Sequence, residues 1–276
     1  MDKLFTLNNG TKIPRVGFGT WRLYGDEAKQ GVLNALEAGY THIDTAALYE
    51  NEKEVGQAIK ESGADREKLF ITTKVWNDKH NYKDATKSFQ ESLKLLDVEY
   101  VNLLLIHWPV PVAGWQEKNQ DMWKAFEDIY ANGKAKAIGI SNFHKVHIAS
   151  LLEKAEIKPA VNQIKISPGV LQEQVSRDTK EFGIDIEAYS PLDKGIATSN
   201  AVLAKIALEY GKTPAQVALR WNLEKGNIVL PKASSLEHAK SNLELFDFSL
   251  SEKDMKLIDS IQSPDSKVPD PNSMLD

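Results

Sequence analysis

Four side chains that can hold or move a proton lie at or just after the ends of three consecutive apolar segments. They are Asp44, Tyr49, Lys74 and His107. A carboxylate, a phenol, an ammonium and an imidazole gathered in one pocket would form a proton-transfer site, because a nearby cation stabilises the anion that an acid leaves behind. Each residue type alone has an ordinary structural role. The chemistry therefore depends on a fold that brings the four together.

The elements that could position them follow a regular alternation of short apolar segments and amphipathic stretches. This alternation is typical of repeated βα units and a parallel sheet. About eight apolar segments occur, which is the number that closes a barrel with helices outside it. They are residues 16–19, 41–44, 69–74, 100–107, 135–141, 160–164, 184–189 and 228–231. We therefore predict an α/β fold, a (β/α)8 TIM barrel, with residues 1–276 as one domain.

Additions to the barrel are expected near both ends of the chain. Residues 4–7 and 12–14 flank Asn9-Gly10, a pair typical of a hairpin turn. Helical periodicity covers several segments, among them 26–38, 83–96, 121–132, 202–210 and 214–224. The last two both precede the final strand, so one of them is predicted to be an extra helix. The tail from Ser263 is rich in turn formers and is expected to fold back over one barrel mouth.

The active site of such a barrel forms where the strands end at their C-terminal side. Because side chains alternate along a strand, Asp44, Lys74 and His107 can all point into the barrel. Neighbouring strands lie about 4.8 Å apart. We therefore predict that these three residues share a single site with Tyr49, which follows Asp44 in the same loop.

The residue types suggest one reaction. A carbonyl that accepts a hydride becomes an alkoxide and must be protonated, and a phenol can supply that proton if a cation stabilises the phenolate. Tyr49 would be the acid and Lys74 the cation, with Asp44 orienting Lys74 and His107 donating to the carbonyl oxygen. No protein side chain can donate the hydride. A nicotinamide cofactor is therefore implied.

The composition excludes several classes of function. The chain has no cysteine, which rules out disulfides, thiolate nucleophiles and cysteine-ligated zinc. A formal net charge of -5 opposes binding to nucleic acid. The first residues lack a long apolar segment, and no stretch approaches the ~18 apolar residues of a membrane span. We expect a cytoplasmic protein with no nucleic-acid partner, no membrane partner and no bound metal.

Three other interpretations stay open at this point. A doubly wound open sheet would show the same alternation, although Arg22 stands where its nucleotide-binding fingerprint needs a third glycine after Gly17 and Gly19. A Schiff-base aldolase or lyase could use Lys74 as its nucleophile, which would leave Tyr49 without a role. A non-catalytic barrel could bind nicotinamide as a sensor.

Five motifs in a fixed order carry a family resemblance. They are Gly19-Thr-Trp, Ile43-Asp-Thr-Ala-Ala-Leu-Tyr-Glu-Asn-Glu, Thr73-Lys-Val-Trp, Ile106-His-Trp-Pro and Gly139-Ile-Ser-Asn-Phe. Over nearly the whole chain the set resembles the aldo-keto reductases, most of all the short branch with 2,5-diketogluconate reductases and prostaglandin F synthases. The resemblance implies a monomer that reduces small aldehydes and ketones with NADPH. It also implies that Asp44, Tyr49, Lys74 and His107 form the catalytic tetrad, with Tyr49 as general acid.

The same resemblance implies where the cofactor binds. The residues implied around the nicotinamide and its ribose are Thr20, Trp21, Asp44, Ser141, Asn142, Gln163 and Tyr189, the last stacked under the ring. Ser190 and Leu192 would contact the pyrophosphate. The residues implied around the adenosine 2′-phosphate are Lys232, Ser234, Ser235, His238 and Asn242.

The chain departs from the family pattern at three places, one of which is Lys136, where arginine is common. His238 stands where the family usually has arginine, and an imidazole cannot form the bidentate fork of a guanidinium, so use of NADH beside NADPH is expected. Before Pro168 the family often has glutamate or phenylalanine followed by histidine, whereas this chain has Lys165 and Ser167. The sequence leaves the role of these two residues in the pocket open.

Aromatic residues are expected to form the substrate pocket. Trp21, Trp76 and Trp108 follow predicted strands and, with Tyr49 and His107, are predicted to line it. Trp115 and Tyr24 also fall in or after such loops, and either packing or a pocket role would suit them.

Overall fold

The central feature is a sheet of eight parallel strands in which each strand pairs with the next one along the chain. The structure is a computed structural model and describes residues 1–195, 199–263 and 266–272. The strands are β3 (Phe18–Gly19), β4 (His42–Asp44), β5 (Phe70–Val75), β6 (Val101–Ile106), β7 (Ala135–Ser141), β8 (Val161–Lys165), β9 (Asp185–Tyr189) and β10 (Ile228–Leu230).

Backbone hydrogen bonds close this sheet into a barrel. Val229 N in β10 donates to Arg15 O over 2.9 Å, and Gly17 N donates to Val229 O over 2.8 Å. Gly17 permits this close approach, because a Cβ atom there would lie 2.6 Å from the His42 ring. The last strand therefore pairs with the segment that leads into the first. The predicted TIM barrel is confirmed.

Helices pack around the outside of the strands. They are α1 (Gly25–Ala38), α2 (Glu52–Ser62), α3 (Tyr82–Leu96), α4 (Trp115–Ala131), α5 (Lys145–Leu152), α6 (Glu173–Glu181), α7 (Ala201–Tyr210), α8 (Pro214–Glu224), α9 (Leu236–Ser241) and α10 (Glu252–Asp259). In α1, Ala28, Val32 and Ala35 recur at helical spacing and are buried against the barrel. Both α7 and α8 lie between β9 and β10, which confirms the predicted extra helix.

A hairpin closes the N-terminal end of the barrel. Strands β1 (Leu4–Thr6) and β2 (Lys12–Pro14) pair antiparallel, as predicted. Ile13 in β2 and Leu7, which follows β1, are buried in one cluster with Phe70 and Leu103 from the barrel strands. Apolar side chains of the hairpin and the strands thus fill the N-terminal half of the barrel. Polar groups are left for the opposite end.

Helix α4 begins six residues earlier than predicted, at Trp115 instead of residue 121. Its first turns are polar in sequence, which hid the apolar periodicity. The buried side chain that packs there is Asn119, whose Oδ1 accepts a hydrogen bond from Val110 N over 3.0 Å. A satisfied polar group therefore takes the place of an apolar one on the inward face of this helix.

The tail lies at the C-terminal end of the barrel, as predicted. Lys165 Nζ at the end of β8 donates to Ser266 Oγ over 2.8 Å. Asn272 Oδ1 lies 3.3 Å from His147 Nε2 in α5. Within the three described ranges, no helix is long and apolar enough to cross a membrane.

Candidate active site

Lys74 lies at the centre of the polar end of the barrel. It faces inward from β5 and is fully buried. Its Nζ donates to Asp44 Oδ1 over 2.6 Å and to Thr45 O over 2.8 Å, and the Tyr49 hydroxyl lies 3.4 Å away. One ammonium therefore joins the carboxylate that ends β4 to the phenol of the turn that follows it.

A buried network holds the segment that carries Tyr49. Asn51 Nδ2 donates to Thr20 O over 3.0 Å, and Asn51 Oδ1 accepts from Thr45 Oγ1 over 2.6 Å. Thr20 Oγ1 in turn donates to Asp44 O over 2.9 Å. These bonds join the loop after β3 to the loop after β4, so the phenol and the carboxylate are positioned by the same set of contacts.

His107 joins the group from the end of β6. Its ring meets the Tyr49 ring edge-on with centroids 5.5 Å apart, and meets the Trp76 ring with centroids 5.1 Å apart. The Trp21 ring also contacts the Tyr49 ring, with centroids 4.8 Å apart. The structure thus brings all four predicted proton-handling residues together, with aromatic rings beside the phenol and the imidazole.

The other aromatic residues differ in exposure. Trp21 is 41% exposed at the mouth, whereas Trp76 and Trp108 are buried. Trp115 packs against a histidine of α5 with ring centroids 5.0 Å apart. Tyr24 is exposed directly before α1. Of the tryptophans considered in the sequence, Trp21 and Trp76 have ring contacts with the four proton-handling residues: Trp21 with Tyr49, and Trp76 with His107.

Burial sets the protonation states of the site. Desolvation raises the pKa of Tyr49 well above its ordinary value, and the negative charges of Asp44 and of ionised Glu187 raise it further. Desolvation likewise lowers the pKa of His107 well below its ordinary value, with the Lys74 ammonium adding to the effect. Near neutral pH the site therefore holds a neutral phenol and a neutral imidazole. Burial also raises the pKa of Asp44, and the contact with Lys74 opposes that rise.

A second group of polar side chains crosses the barrel below this site. Gln163 Nε2 in β8 donates to Asp44 Oδ2 over 2.9 Å and to Glu187 Oε2 over 2.6 Å. Glu187 Oε1 lies 3.7 Å from His42 Nε2, which is 3.1 Å from Thr72 Oγ1. Polar contacts thus run from β5 to β4, from β4 to β9, and from β9 through β8 back to Asp44.

Residues predicted to hold the nicotinamide lie next to the four. Ser141 Oγ at the end of β7 donates to Gln163 O over 2.8 Å and accepts from Asn142 Nδ2 over 3.0 Å. Asn142 Nδ2 also donates to His107 O over 3.1 Å. The Tyr189 hydroxyl donates to Asn142 Oδ1 over 3.0 Å. The ends of β7, β8 and β9 therefore form one hydrogen-bonded wall beside the imidazole.

Residues predicted around the 2′-phosphate lie at α9, away from this wall. They are Lys232, Ser234, Ser235, His238 and Asn242. Ser235 caps the helix, its Oγ accepting from His238 N over 3.1 Å, and Ser234 Oγ lies 3.1 Å from His238 Nδ1. Lys232 Nζ donates to Trp21 O over 3.3 Å. Asn242 is buried at the end of the helix, whereas Lys232 and His238 are exposed.

Lys165, whose role the sequence left open, is an anchoring residue. Its Nζ pairs with Asp193 Oδ1 over 2.8 Å and donates to Ser266 Oγ and to Lys267 O. Asp193 follows the predicted pyrophosphate contacts, and its N–H donates to Ser190 O over 2.9 Å. Lys165 therefore connects β8, the loop after β9 and the tail.

Leu192, the other predicted pyrophosphate contact, is partly buried and packs against the outer core. Ser167 is fully buried, and its Oγ has no hydrogen-bond partner among the described residues.

The sequence reasoning missed Glu187 and Asn51. Glu187 carries a signal that could have found it, because a carboxylate at an inward position of a strand in a closed barrel is costly to bury without a partner. Asn51 carries no such signal. Its importance comes from contacts with the loop after β3, which lies far from it in sequence.

Comparison with known proteins agrees with this geometry. The model of the aldo/keto reductase family matches residues 15–263. The chain is 43% identical to a glyoxal reductase of Bacillus subtilis over 270 residues, covering 98% of this chain and 96% of that protein. It is 40% identical to a 9,11-endoperoxide prostaglandin H2 reductase of Trypanosoma cruzi over 272 residues, covering 97% and 94%.

The fold is also similar to solved structures of this kind. A mutant of Gox0644 in complex with NADPH superposes with a TM-score of 0.91 at 34% identity, covering 99% of this chain and 98% of that one. The barrel, the ordered motifs and the matched length agree. The chain belongs to the aldo/keto reductase family and is an oxidoreductase.

Proposed function

We propose that this barrel reduces small-molecule aldehydes and ketones to alcohols with NADPH, and that Tyr49 is the general acid. The observation that carries the proposal is the position of Lys74 Nζ, 2.6 Å from Asp44 Oδ1 and 3.4 Å from the Tyr49 hydroxyl. An ammonium held by a carboxylate and aimed at a phenol is the arrangement that stabilises a phenolate once its proton has left.

The residues present fit a nicotinamide nucleotide. Gln163 Oε1 accepts no hydrogen bond from the described residues, so an acceptor stands ready for an amide N–H. Ser141 and Asn142 add a hydroxyl and an amide at the same wall, and Tyr189 offers a half-buried ring. When bound, the nicotinamide supplies the hydride.

The four side chains divide the proton chemistry among themselves. Tyr49 keeps its proton near neutral pH and delivers it to the oxygen that becomes an alkoxide. Lys74 stabilises the phenolate that remains, and Asp44 keeps Lys74 charged and oriented. His107 is neutral, so one ring nitrogen can donate to the substrate oxygen and fix its orientation.

A rival Schiff-base reaction at Lys74 is disfavoured by the same contacts. A nucleophilic lysine must lose its proton, whereas Lys74 donates to both Asp44 and Thr45 O in a fully buried position. Borohydride trapping of a carbonyl substrate on Lys74 would favour the rival.

The adenosine end is proposed to bind at α9. Lys232, Ser234, Ser235, His238 and Asn242 would hold the 2′-phosphate, with Ser190 and Leu192 at the pyrophosphate. Because His238 lacks the fork of an arginine, we expect NADH to bind as well, though less tightly than NADPH. The substrate would lie between Trp21, Trp76 and Trp108, above Tyr49 and His107, in one barrel domain that acts as a monomer.

Tyr49→Phe tests the acid. The substitution removes the proton but little of the cofactor pocket, so carbonyl reduction should fall by about 10²- to 10⁴-fold. The NADPH dissociation constant, measured by quenching of tryptophan fluorescence, should stay within about twofold of the wild-type value.

Tyr82→Phe is the matched control, because Tyr82 also carries a hydrogen-bonded hydroxyl but lies on α3, where it donates to Asp128 Oδ2. It should keep full activity. A Tyr49→Phe enzyme with wild-type turnover would show that the acid has been assigned wrongly.

His238→Arg tests the cofactor preference. An arginine at this exposed position should tighten NADPH by about three- to tenfold while leaving NADH unchanged, because the guanidinium can pair bidentately with the 2′-phosphate. Dissociation constants for both cofactors provide the measurement. Asn132→Arg, which adds the same charge at the far end of α4, should alter neither, and equal affinities in His238→Arg and the wild type would refute the role of this position.

A further inference from the structure

Glu187 is a buried carboxyl group for which the proton chemistry above has no use. It lies in the middle of β9 and is fully buried inside the barrel. Its strand partner in register is Gln163 in β8. Burying a carboxyl group in such a position costs free energy unless a neighbour forms a hydrogen bond with it.

The contacts of Gln163 suggest what that use is. A primary amide has two N–H donors on one nitrogen and one carbonyl acceptor. In Gln163 the nitrogen faces Asp44 Oδ2 at 2.9 Å and Glu187 Oε2 at 2.6 Å, so one carboxyl group takes up each donor. A flip would turn the carbonyl oxygen toward the Asp44 carboxylate, which can only accept, so the amide keeps its nitrogen on the side of the two carboxyl groups. Oε1 is the atom left for a ligand.

Resting on the cofactor site proposed above, we propose that Glu187 is a positioning residue. It holds the Gln163 amide so that Oε1 is offered to the nicotinamide carboxamide, and its own proton keeps a second negative charge away from Asp44 and Tyr49. The role acts through Gln163 and the local charge. Glu187 itself touches neither the substrate nor the reacting atoms.

The surroundings of Glu187 support the second part. Strand β4 contributes His42 and Asp44, and the turn after it contributes Tyr49. Strand β5 contributes Lys74. Strand β8 contributes Gln163 and Lys165, whose ammonium is already paired with Asp193, and β10 contributes apolar side chains. Lys74 is already paired with Asp44. A charge on Glu187 would therefore be a surplus negative charge inside the barrel.

The pKa values of Glu187 and His42 agree with this assignment of charges. Desolvation raises the pKa of Glu187 to about 8, and the Asp44 carboxylate adds to the rise. Desolvation also lowers the pKa of His42 to about 3, so the imidazole beside Glu187 is neutral. Below about pH 8 Glu187 thus carries its proton. Above that pH its charge would make Tyr49 a weaker acid, because the negative charge of ionised Glu187 raises the pKa of Tyr49.

Glu187→Gln separates charge from positioning. The new amide carbonyl can still accept from Gln163 but cannot ionise. Single-turnover NADPH oxidation by the wild type should slow as the pH rises through about 8. The variant should match the wild type near pH 7 and keep its rate to at least about one pH unit higher. If the rate of Glu187→Gln falls at the same alkaline pH as the rate of the wild type, the proposal is overturned.

Glu187→Ala removes the positioning contact itself. One N–H of Gln163 loses its acceptor and the amide is freed, so the NADPH dissociation constant should rise about tenfold. Glu187→Gln should restore tight binding. Unchanged affinity in Glu187→Ala, measured by tryptophan quenching without substrate, also overturns the proposal.

Asp185→Asn is the matched control. Asp185 is a half-buried carboxylate two residues earlier in β9, beside Arg15 and Lys180, far from the mouth. It should leave both the alkaline limb and the NADPH affinity unchanged. The outcomes are also separable from the proposed function, because a wild type that neither binds NADPH nor reduces carbonyls refutes that function before any Glu187 variant is made.

Discussion

Two lysine–aspartate pairs lie at the C-terminal end of this barrel, and they are built differently. Lys74 pairs with Asp44 over 2.6 Å, and Lys165 pairs with Asp193 over 2.8 Å. Both lysines face inward near the ends of parallel strands and both are buried. The chemistry of the two contacts is therefore nearly the same, whereas the segments they join are not.

The Lys74 pair joins neighbouring strands whose hydrogen-bond ladder already holds them in register. Its third contact is the phenol of Tyr49. The Lys165 pair joins a strand to a loop and to the tail, and its remaining contacts are made by Ser266 and Lys267. An ion pair between paired strands has its geometry fixed by the sheet and can serve proton chemistry. An ion pair between a strand and a loop serves instead to hold the loop against the barrel.

Of the substitutions in the two pairs, Lys74→Met is expected to have the largest effect. Without the ammonium, the Tyr49 phenolate is unsupported, and carbonyl reduction should fall by about 10²- to 10³-fold. Asp44 would also be left buried without its partner, which should cost about 3–5 kcal/mol of unfolding free energy. Steady-state kinetics and urea unfolding measure the two losses.

Adding Asp44→Asn to Lys74→Met sharpens this result. Stability should partly return because no unpaired charge remains, while activity should stay low. If Lys74→Met alone is as stable as the wild type, the pair is not the buried contact described above.

A smaller effect is expected from Lys165→Met. The step in which the Tyr49 proton moves should keep its rate within about twofold, because the two lysines belong to separate groups of contacts. Loss of the pair should loosen the loop after β9 and the tail, so NADPH should dissociate about three- to tenfold faster and limited proteolysis should cut the tail sooner. Stopped-flow displacement of NADPH provides the rate.

Asp193→Asn should reproduce the Lys165→Met effect, and the double variant should add little to either. Additive effects of the two substitutions would mean that Lys165 and Asp193 act apart. A Lys165→Met enzyme that loses single-turnover rate as severely as Lys74→Met would remove the distinction between the pairs.

Most of the fold could be predicted because its signal is local and repeated. The alternation of apolar segments located every barrel strand to within a residue or two, and β7 without error. The hairpin and the extra helix followed from turn residues and helical periodicity in the same way. The start of α4 was placed wrongly because a buried Asn119 interrupts the apolar pattern, and its partner Val110 lies in another segment.

The candidate site divides along a similar line. Asp44, Lys74 and His107 end consecutive strands, so alternation alone was enough to expect them on one inward face. The contacts of Lys165 could not be expected, since Asp193 and Ser266 come from segments whose path depends on the finished barrel. Glu187 was visible as a carboxylate in an apolar strand, but its link to Gln163 required the register of β8 against β9.

The order of residue types along the chain determined the barrel, the end at which its candidate site lies and the four side chains gathered there, because those properties depend on periods of two and about 3.6 residues. Only the tertiary structure decided which lysine meets the phenol, which one ties down the tail, and which carboxyl group orients Gln163. Such choices depend on distances between segments far apart in sequence, and these distances exist only once the barrel has closed.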